Sequence, residues 1–326
     1  MIVIHGTTIQ HLIFVGEYLR IMQRVIVCPY CSQHICIDSS TGDSCKCKGG
    51  HEFRVINGII DLTPNIENDA GLLAEEQYWN NVAEKGWVKI LPNPYMDRKI
   101  FEGCRDALTK AIKDQWPDYR TKNVVIGEIG CGSGSALSYL NGIEFANVCY
   151  IGTDISIKML QLACNTPSNW KTQFVRVSGN INIFKENSLD IVFSISVLSH
   201  FQLEIIIRWI SKALKPGGLL VLDEPSAGNL FARIGRRLIT NRSGFFYTSD
   251  KRLLPNQVEE IASKHDLELV YEKGLHFLVS PLYYFLSIYN IPNLVTVPLY
   301  YIAKLIDRFV VSPSWNYSFI QVYKKG

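Results

Sequence analysis

Three glycines at alternate positions, Gly130, Gly132 and Gly134, follow an acid, Glu128, and precede a second acid, Asp154, by about twenty residues. Glycines at this spacing permit positive φ and let a ligand approach the backbone closely. An acid about twenty residues past such a turn commonly holds ribose hydroxyls. The pattern also discriminates among nucleotides. A dinucleotide fingerprint needs a glycine where Ser135 stands, and the lysine of a phosphate loop is missing. Glu128 ahead of the turn is a poor neighbour for a pyrophosphate and suits a ligand with a cationic, amino-acid-like end. A second group has metal-ligand chemistry. Cys28 and Cys31 form C-x-x-C, and Cys47 and His51 form C-x-x-x-H. Two close pairs separated by a loop are what a tetrahedral metal needs. Cys45 is an alternative to Cys47 or His51, and Cys36 is spare.

The elements that must carry the first group are a strand at Val124–Ile129, a helix at Ser135–Leu140 and a strand at Val148–Gly152. Ser156 is placed to cap a helix over Ile157–Cys164. Strands are expected at Thr172–Ser178, Ile191–Ile195, Leu219–Leu222 and Leu267–Glu272, with helices at Gln202–Leu214 and Pro255–Lys264. Lys215–Gly218 reads as a turn, and Ser318–Tyr323 as a final edge strand. This alternation predicts a doubly wound α/β sheet. Upstream, helices are expected within residues 65–87 and over Met96–Trp116. Tyr78, Trp79 and Trp87 there suit a pocket wall, although core packing is the commoner use of such residues.

The run E-I-G-C-G-S-G resembles motif I of the class I S-adenosylmethionine (AdoMet) methyltransferases, and I-G-T-D-I-S resembles their motif II. Phe184, Asp190 and the strand Ile191–Ile195 fall into the family's register. L-K-P-G-G, an apolar strand and E-P are similar to its quinone-biosynthesis-like branch. The resemblance covers about Asn123 to Pro225. It implies a Rossmann-like, seven-stranded sheet. It also implies a cofactor cradle of Glu128, Gly130, Cys131, Gly132, Gly134, Asp154 and Ile155, with Asn180 toward the adenine and Ser196 and Val197 near the transferred methyl. The family's adenine-side acid is replaced here, with Ser178 at its place and Asn180 as the nearest amide. His200, after the fourth strand, is the candidate general base or substrate-orienting residue, weighed against a plain packing role. A plain α/β domain with a glycine turn is the competing reading, disfavoured by the placement of the acids.

Cys28, Pro29, Cys31, Cys47, His51, Phe53 and Gly58 resemble the zinc ribbon placed ahead of ribosomal RNA guanine methyltransferases. The resemblance implies a structural Zn²⁺ held by Cys28, Cys31, Cys47 and His51. A metal-free ribbon is the alternative.

The chain has 326 residues and a formal charge of +3, which gives no global electrostatic argument for nucleic acid. Five of nine cysteines crowd between Cys28 and Cys47, which favours metal binding in a reducing cytoplasm over a disulfide framework. The expected organisation is an extension (1–24), a ribbon (25–64), a helical linker or lid (65–121), a methyltransferase core (122–274) and an apolar extension (275–326). Residues 1–27 lack a signal-peptide pattern; a short helix over Ile9–Met22 is expected. Leu275–Ala303 contains no Asp, Glu, Lys or Arg. Pro281, Pro292 and Pro298 break it into pieces too short to span a bilayer, so two helices forming a lid, dimer surface or lipid-facing patch are expected. Arg233, Arg236, Arg237 and Arg242 form a basic cluster, read as a solvated face or an anion site. The expected acceptor is a small or lipid-like molecule, with peripheral membrane contact; RNA is the alternative. A non-catalytic AdoMet-binding partner subunit is a reading of another class.

Overall fold

A computed structural model describes residues 24–37, 43–63, 66–85, 105–106, 109–140, 142–235, 252–288, 291–310 and 312–326. The helix expected at Ile9–Met22, Trp87, most of the first half of the helix expected at Met96–Trp116, and Arg236, Arg237 and Arg242 lie outside the described residues.

In chain order the strands are β1 (Ile35–Ile37), β2 (Ser44–Cys47), β3 (Glu52–Ile56), β4 (Ile59–Asp61), β5 (Asn123–Ile129), β6 (Asn147–Asp154), β7 (Lys171–Arg176), β8 (Leu189–Ile195), β9 (Leu214–Pro225), β10 (Leu267–Leu275) and β11 (Ser318–Lys325). The helices are α1 (Ala70–Lys85), α2 (Ser135–Leu140), α3 (Ile157–Ala163), α4 (Leu203–Ala213), α5 (Pro255–Ser263), α6 (Val279–Ile288) and α7 (Asn293–Asp307).

All the strands form one sheet in the order β1-β2-β3-β4-β7-β6-β5-β8-β9-β11-β10. The stretch from β7 to β10 is the expected seven-stranded α/β sheet. Strands β5 to β9 are parallel, and β11 enters antiparallel to both neighbours. The parallel strands are continuous apolar runs because helices cover both faces. One face packs Ile129, Val175, Val192 and Leu220 against α4; the other packs Ile126, Tyr150, Ile191 and Val221 against α2 and α3.

Two expectations are corrected. The final strand is interior, between β9 and β10, because Ser318–Tyr323 is buried on both faces. Its apolar residues have no solvent side. The turn expected at Lys215–Gly218 is a bulge within β9. Pairing with β8 shifts between Leu189 and Ile191 as Gly217 takes φ 73°, so the strand runs from Leu214 to Pro225 without ending.

The cysteine-rich ribbon is part of the same sheet. β4 pairs in parallel with β7, aligning Ile60 with Val175 and Asp61 with Arg176. Val27 N–H donates to Ile183 O at 2.8 Å, and Lys185 N–H to Val25 O at 2.8 Å. Val25, Ile26, Phe53 and Ile60 share a core with Phe184 and Trp209. The apolar extension forms α6 and α7, inserted between β10 and β11. Among the described residues no helix is long and apolar enough to cross a membrane.

Candidate cofactor and metal sites

The glycine turn connects β5 to α2. Gly130 has φ 65°, and a Cβ there would sit 2.5 Å from Val197, so the position tolerates only glycine on both counts. Cys131 is buried, and its N–H donates to Thr153 O at 2.8 Å. The Gly132 N–H donates to Asp154 Oδ2 at 2.9 Å, and the Ser156 N–H donates to Asp154 Oδ1 at 2.8 Å. Asp154 thus ties the end of β6 to the turn after β5. Ser156 caps α3 as expected, its Oγ accepting from Met159 N–H at 3.1 Å. Ile155 is half-buried, and its carbonyl accepts from Arg176 Nε at 3.2 Å.

Glu128 lies beneath the turn, 2 % exposed, and receives a hydrogen bond from the Tyr150 hydroxyl. Burial raises its carboxyl to about 7, against the Tyr150 bond, which lowers it. Burial raises Asp154 to about 6 although its carboxylate accepts from backbone N–H groups. Both groups sit where a cation would relieve uncompensated charge.

After β7, Gly179 packs on the Phe201 ring, which leaves no room for a Cβ. Asn180 next to it is exposed and lies just past Val177, whose N–H donates to Asp154 O at 2.9 Å. After β8, Ser196 takes φ 58°, a conformation uncommon for a residue with a side chain. Ser196 N–H donates to Asp223 O at 2.8 Å. His200 ends a short 3₁₀ turn, Leu198–His200.

Three residues not singled out from sequence, Glu75, Asn80 and Glu224, join the candidate site, and Trp79 lies with them. Glu75 on α1 brings Oε1 to 3.7 Å from His200 Nδ1. Burial first, then the Asp154 charge, raises Glu75 to about 7. Trp79, one turn along α1, meets the His200 ring edge-on at 6.0 Å. Asn80 accepts from Ser156 Oγ at 2.7 Å and from Lys158 N–H at 3.3 Å, seating α1 on the start of α3. Glu224, fully buried at the end of β9, accepts from Val197 and Leu198 N–H, both at 3.0 Å. It fixes the loop that carries Val197 against Gly130. The i, i+4 pair Glu75–Trp79 and the acid in D-E-P were the available signals, but neither reveals a partner distant in sequence.

The second group also converges. One ligand atom from each of Cys28, Cys31, Cys47 and His51 lies within 4.8 Å of every other. Cys31 Sγ–Cys47 Sγ is 3.5 Å, Cys47 Sγ–His51 Nδ1 is 3.4 Å and Cys28 Sγ–His51 Nδ1 is 3.7 Å. Bonds of about 2.0–2.3 Å to a tetrahedral ion give edges of this size. Gly49 closes over the cluster; a Cβ there would stand 2.7 Å from Cys31 Sγ. Cys45 lies outside the cluster, buried in the ribbon opposite Phe53, and Cys36 is exposed. The donor set and spacing fit a closed thiolate–imidazole site with no open position.

A methyltransferase-domain family model matches residues 127–222. The carboxy-S-adenosyl-L-methionine synthase of Colwellia psychrerythraea is 30 % identical over 148 residues, covering 39 % of this chain and 59 % of that protein. The tRNA N(3)-methylcytidine methyltransferase of Schizosaccharomyces pombe is 25 % identical over 173 residues, covering 50 % and 53 %. The chain thus spans little more than half the length of these two relatives. Among solved structures, a chain of the complex between the Haloferax volcanii Trm112 methyltransferase activator and a methyltransferase aligns with a TM-score of 0.50 at 16 % identity, covering 76 % of this chain and 96 % of that one. That likeness concerns the fold. The family match assigns residues 127–222 to a methyltransferase-domain family, and the seven-stranded sheet that carries the glycine turn and Asp154 has the fold of the class I AdoMet-dependent methyltransferases.

Proposed function

We propose that this protein transfers a methyl group from AdoMet to a small or lipid-like acceptor, with a structural zinc ion in its ribbon. The observation that carries the reading is the meeting of the glycine turn, Asp154 and Glu75 at the carboxyl ends of β5 and β6. AdoMet, when bound, supplies an electrophilic methyl on a sulfonium together with a second cation, its ammonium. The backbone of Gly130–Gly134 suits close approach by the amino-acid end, and Asp154 offers acceptors for ribose hydroxyls. Asn180 and the Phe201 side of the 178–181 turn suit the adenine. Ser196 and Val197 would border the reacting carbon.

Methyl transfer at a sulfonium is an in-line displacement, so placing the acceptor atom does much of the catalytic work. His200 and Glu75 form the candidate base pair for an acceptor that must lose a proton. The Glu75 carboxylate would hold the imidazole and stabilise its protonated form, while Trp79 limits its rotation. The four ribbon ligands would hold Zn²⁺ as a brace between two turns too small to hold a core alone. Apolar α6 and α7, leaving the same edge of the sheet as the cradle, and the resemblance of L-K-P-G-G to the quinone-biosynthesis-like branch favour an apolar acceptor.

RNA is the second reading, supported by the tRNA methyltransferase relative. The test is transfer of radiolabelled methyl from AdoMet to lipid extract or to tRNA. Label in lipid and none in tRNA supports the first reading. Label in tRNA, with binding that falls steeply with salt, overturns it.

A further inference from the structure

α6 and α7 stand on the same edge of the sheet as the cofactor cradle. Leu275, ending β10, pairs with Ser318 of β11, and Ser318 pairs with Pro225 at the end of β9. The helical residues 230–235 leave β9 from that edge too. α7 buries only a narrow stripe, Thr296, Tyr300 and Ala303, of which Tyr300 and Ala303 pack on Val279, Leu278 and Leu282 at α6. Its remaining surface exposes Leu294 at 88 %, Ile302, Leu305 and, just past its end, Phe309 at 81 %. Exposed Leu230 and Phe231 extend this surface, the Phe231 ring meeting Phe277 edge-on at 5.4 Å. A solvated helix of a globular protein turns such residues inward; α7 turns them out.

The charges identify what covers this face. Arg233, Lys304 and Arg308 are exposed on it or at its border. The acid on α7, Asp307, accepts from Leu278 N–H at 2.7 Å and Val279 N–H at 3.3 Å, so it serves the start of α6. The face therefore combines apolar anchors with cations. A second copy would bring cations against cations. A nucleic acid would leave the anchors in water. We propose that this face docks on an anionic phospholipid bilayer, with α7 lying in the interfacial plane and the rim of the methyl-acceptor site turned toward the lipid. The short, proline-containing helices lie on the membrane and do not span it. Docking stands on its own observations; that the acceptor is drawn from the bilayer rests on the methyl-transfer reading above.

The test is co-sedimentation of the full chain with phosphatidylcholine vesicles, with and without phosphatidylglycerol. Anionic lipid should raise partitioning on the order of tenfold or more, since each basic residue near the surface contributes. Leu305→Glu with Phe309→Glu should reduce it by a similar factor, because apolar insertion is lost. Both side chains are exposed, so circular dichroism and AdoMet affinity should be retained. Lys304→Glu with Arg308→Glu should abolish the preference for phosphatidylglycerol while leaving weak binding to neutral vesicles. No partitioning of the folded wild-type chain onto either vesicle overturns the proposal. So does a sedimentation-velocity dimer that the Leu305/Phe309 variant makes monomeric without any vesicle binding. So does binding displaced by tRNA and unchanged in the Leu305/Phe309 variant. Vesicle binding without AdoMet binding would refute the methyl-transfer reading and leave docking intact; the converse result would do the opposite.

Discussion

Asp154 joins two jobs in one carboxylate. It accepts from the glycine turn and from the start of α3, and in the proposed cradle it would also accept from ribose hydroxyls. Asp154→Ala should lower AdoMet affinity about tenfold or more, as loss of a charged hydrogen-bond acceptor worth about 1.5–3 kcal/mol requires. Unchanged affinity in calorimetry, with the fold intact, would remove Asp154 from the site. The neighbouring acids set a pH dependence. Burial holds Asp154 at about 6 and Glu128 and Glu75 at about 7 in the ligand-free protein. A cationic ligand favours their ionised forms and lowers these values. Affinity for AdoMet should therefore rise as pH increases from about 5 to about 8, with proton release on binding near the middle of that window. Calorimetry in two buffers of different ionisation enthalpy reads the protons directly, and proton uptake would give the wrong sign. Asp154 was legible because its partner glycines lie in one βαβ unit. Glu75 was not, because it reaches His200 from a helix ahead of the parallel strands β5 to β9; Glu224 was not, because the loop it holds carries no glycine pattern to mark it.

At the scale of elements, the second half of α1 is held to the start of α3. Asn80 seats it on α3, and Glu84 pairs with Lys158. Beneath it, buried Arg176 of β7 donates to Glu76 of α1 at 2.5 Å, to Asp61 of β4 at 3.0 Å and to the Ile155 carbonyl. One guanidinium thus joins the ribbon, the central sheet, α1 and the loop after β6. Arg176→Ala would leave Glu76 without its buried cation and Asp61 with only the exposed Arg54 at 3.6 Å, and should cost about 3–5 kcal/mol in urea unfolding. A loss under about 1 kcal/mol would show that the clasp is incidental. Most elements were readable from the sequence because their apolar periods are clean, as in α4 and β5. The bulge in β9 was not, since a Lys-Pro-Gly-Gly run has the composition of a chain reversal. The interior place of β11 was not, because pairing order depends on strands a hundred residues apart in sequence.

At the scale of the molecule, the ribbon is a continuation of the sheet. Its last strand lies on β7, its core is that of Phe184 and Trp209, and the Cys28, Cys31, Cys47 and His51 cluster lies within that continuation. Cys28→Ser should lower bound zinc from about one equivalent and bring down the thermal midpoint of the whole chain in a single transition, because ribbon and sheet share their buried surface. A separate early transition, with the rest unmoved, would make the ribbon an independent module. The spacing of the cysteines foretold the clustering of Cys28, Cys31, Cys47 and His51; nothing in it foretold that β4 would pair with β7.

The central claim is that the cradle at the carboxyl ends of β5 and β6 binds AdoMet. Isothermal titration of the purified chain with AdoMet and with S-adenosylhomocysteine tests it most directly, with zinc content and circular dichroism taken on the same sample. One site of micromolar affinity for each ligand is the predicted result. A folded, zinc-loaded protein that binds neither would contradict the account at its base.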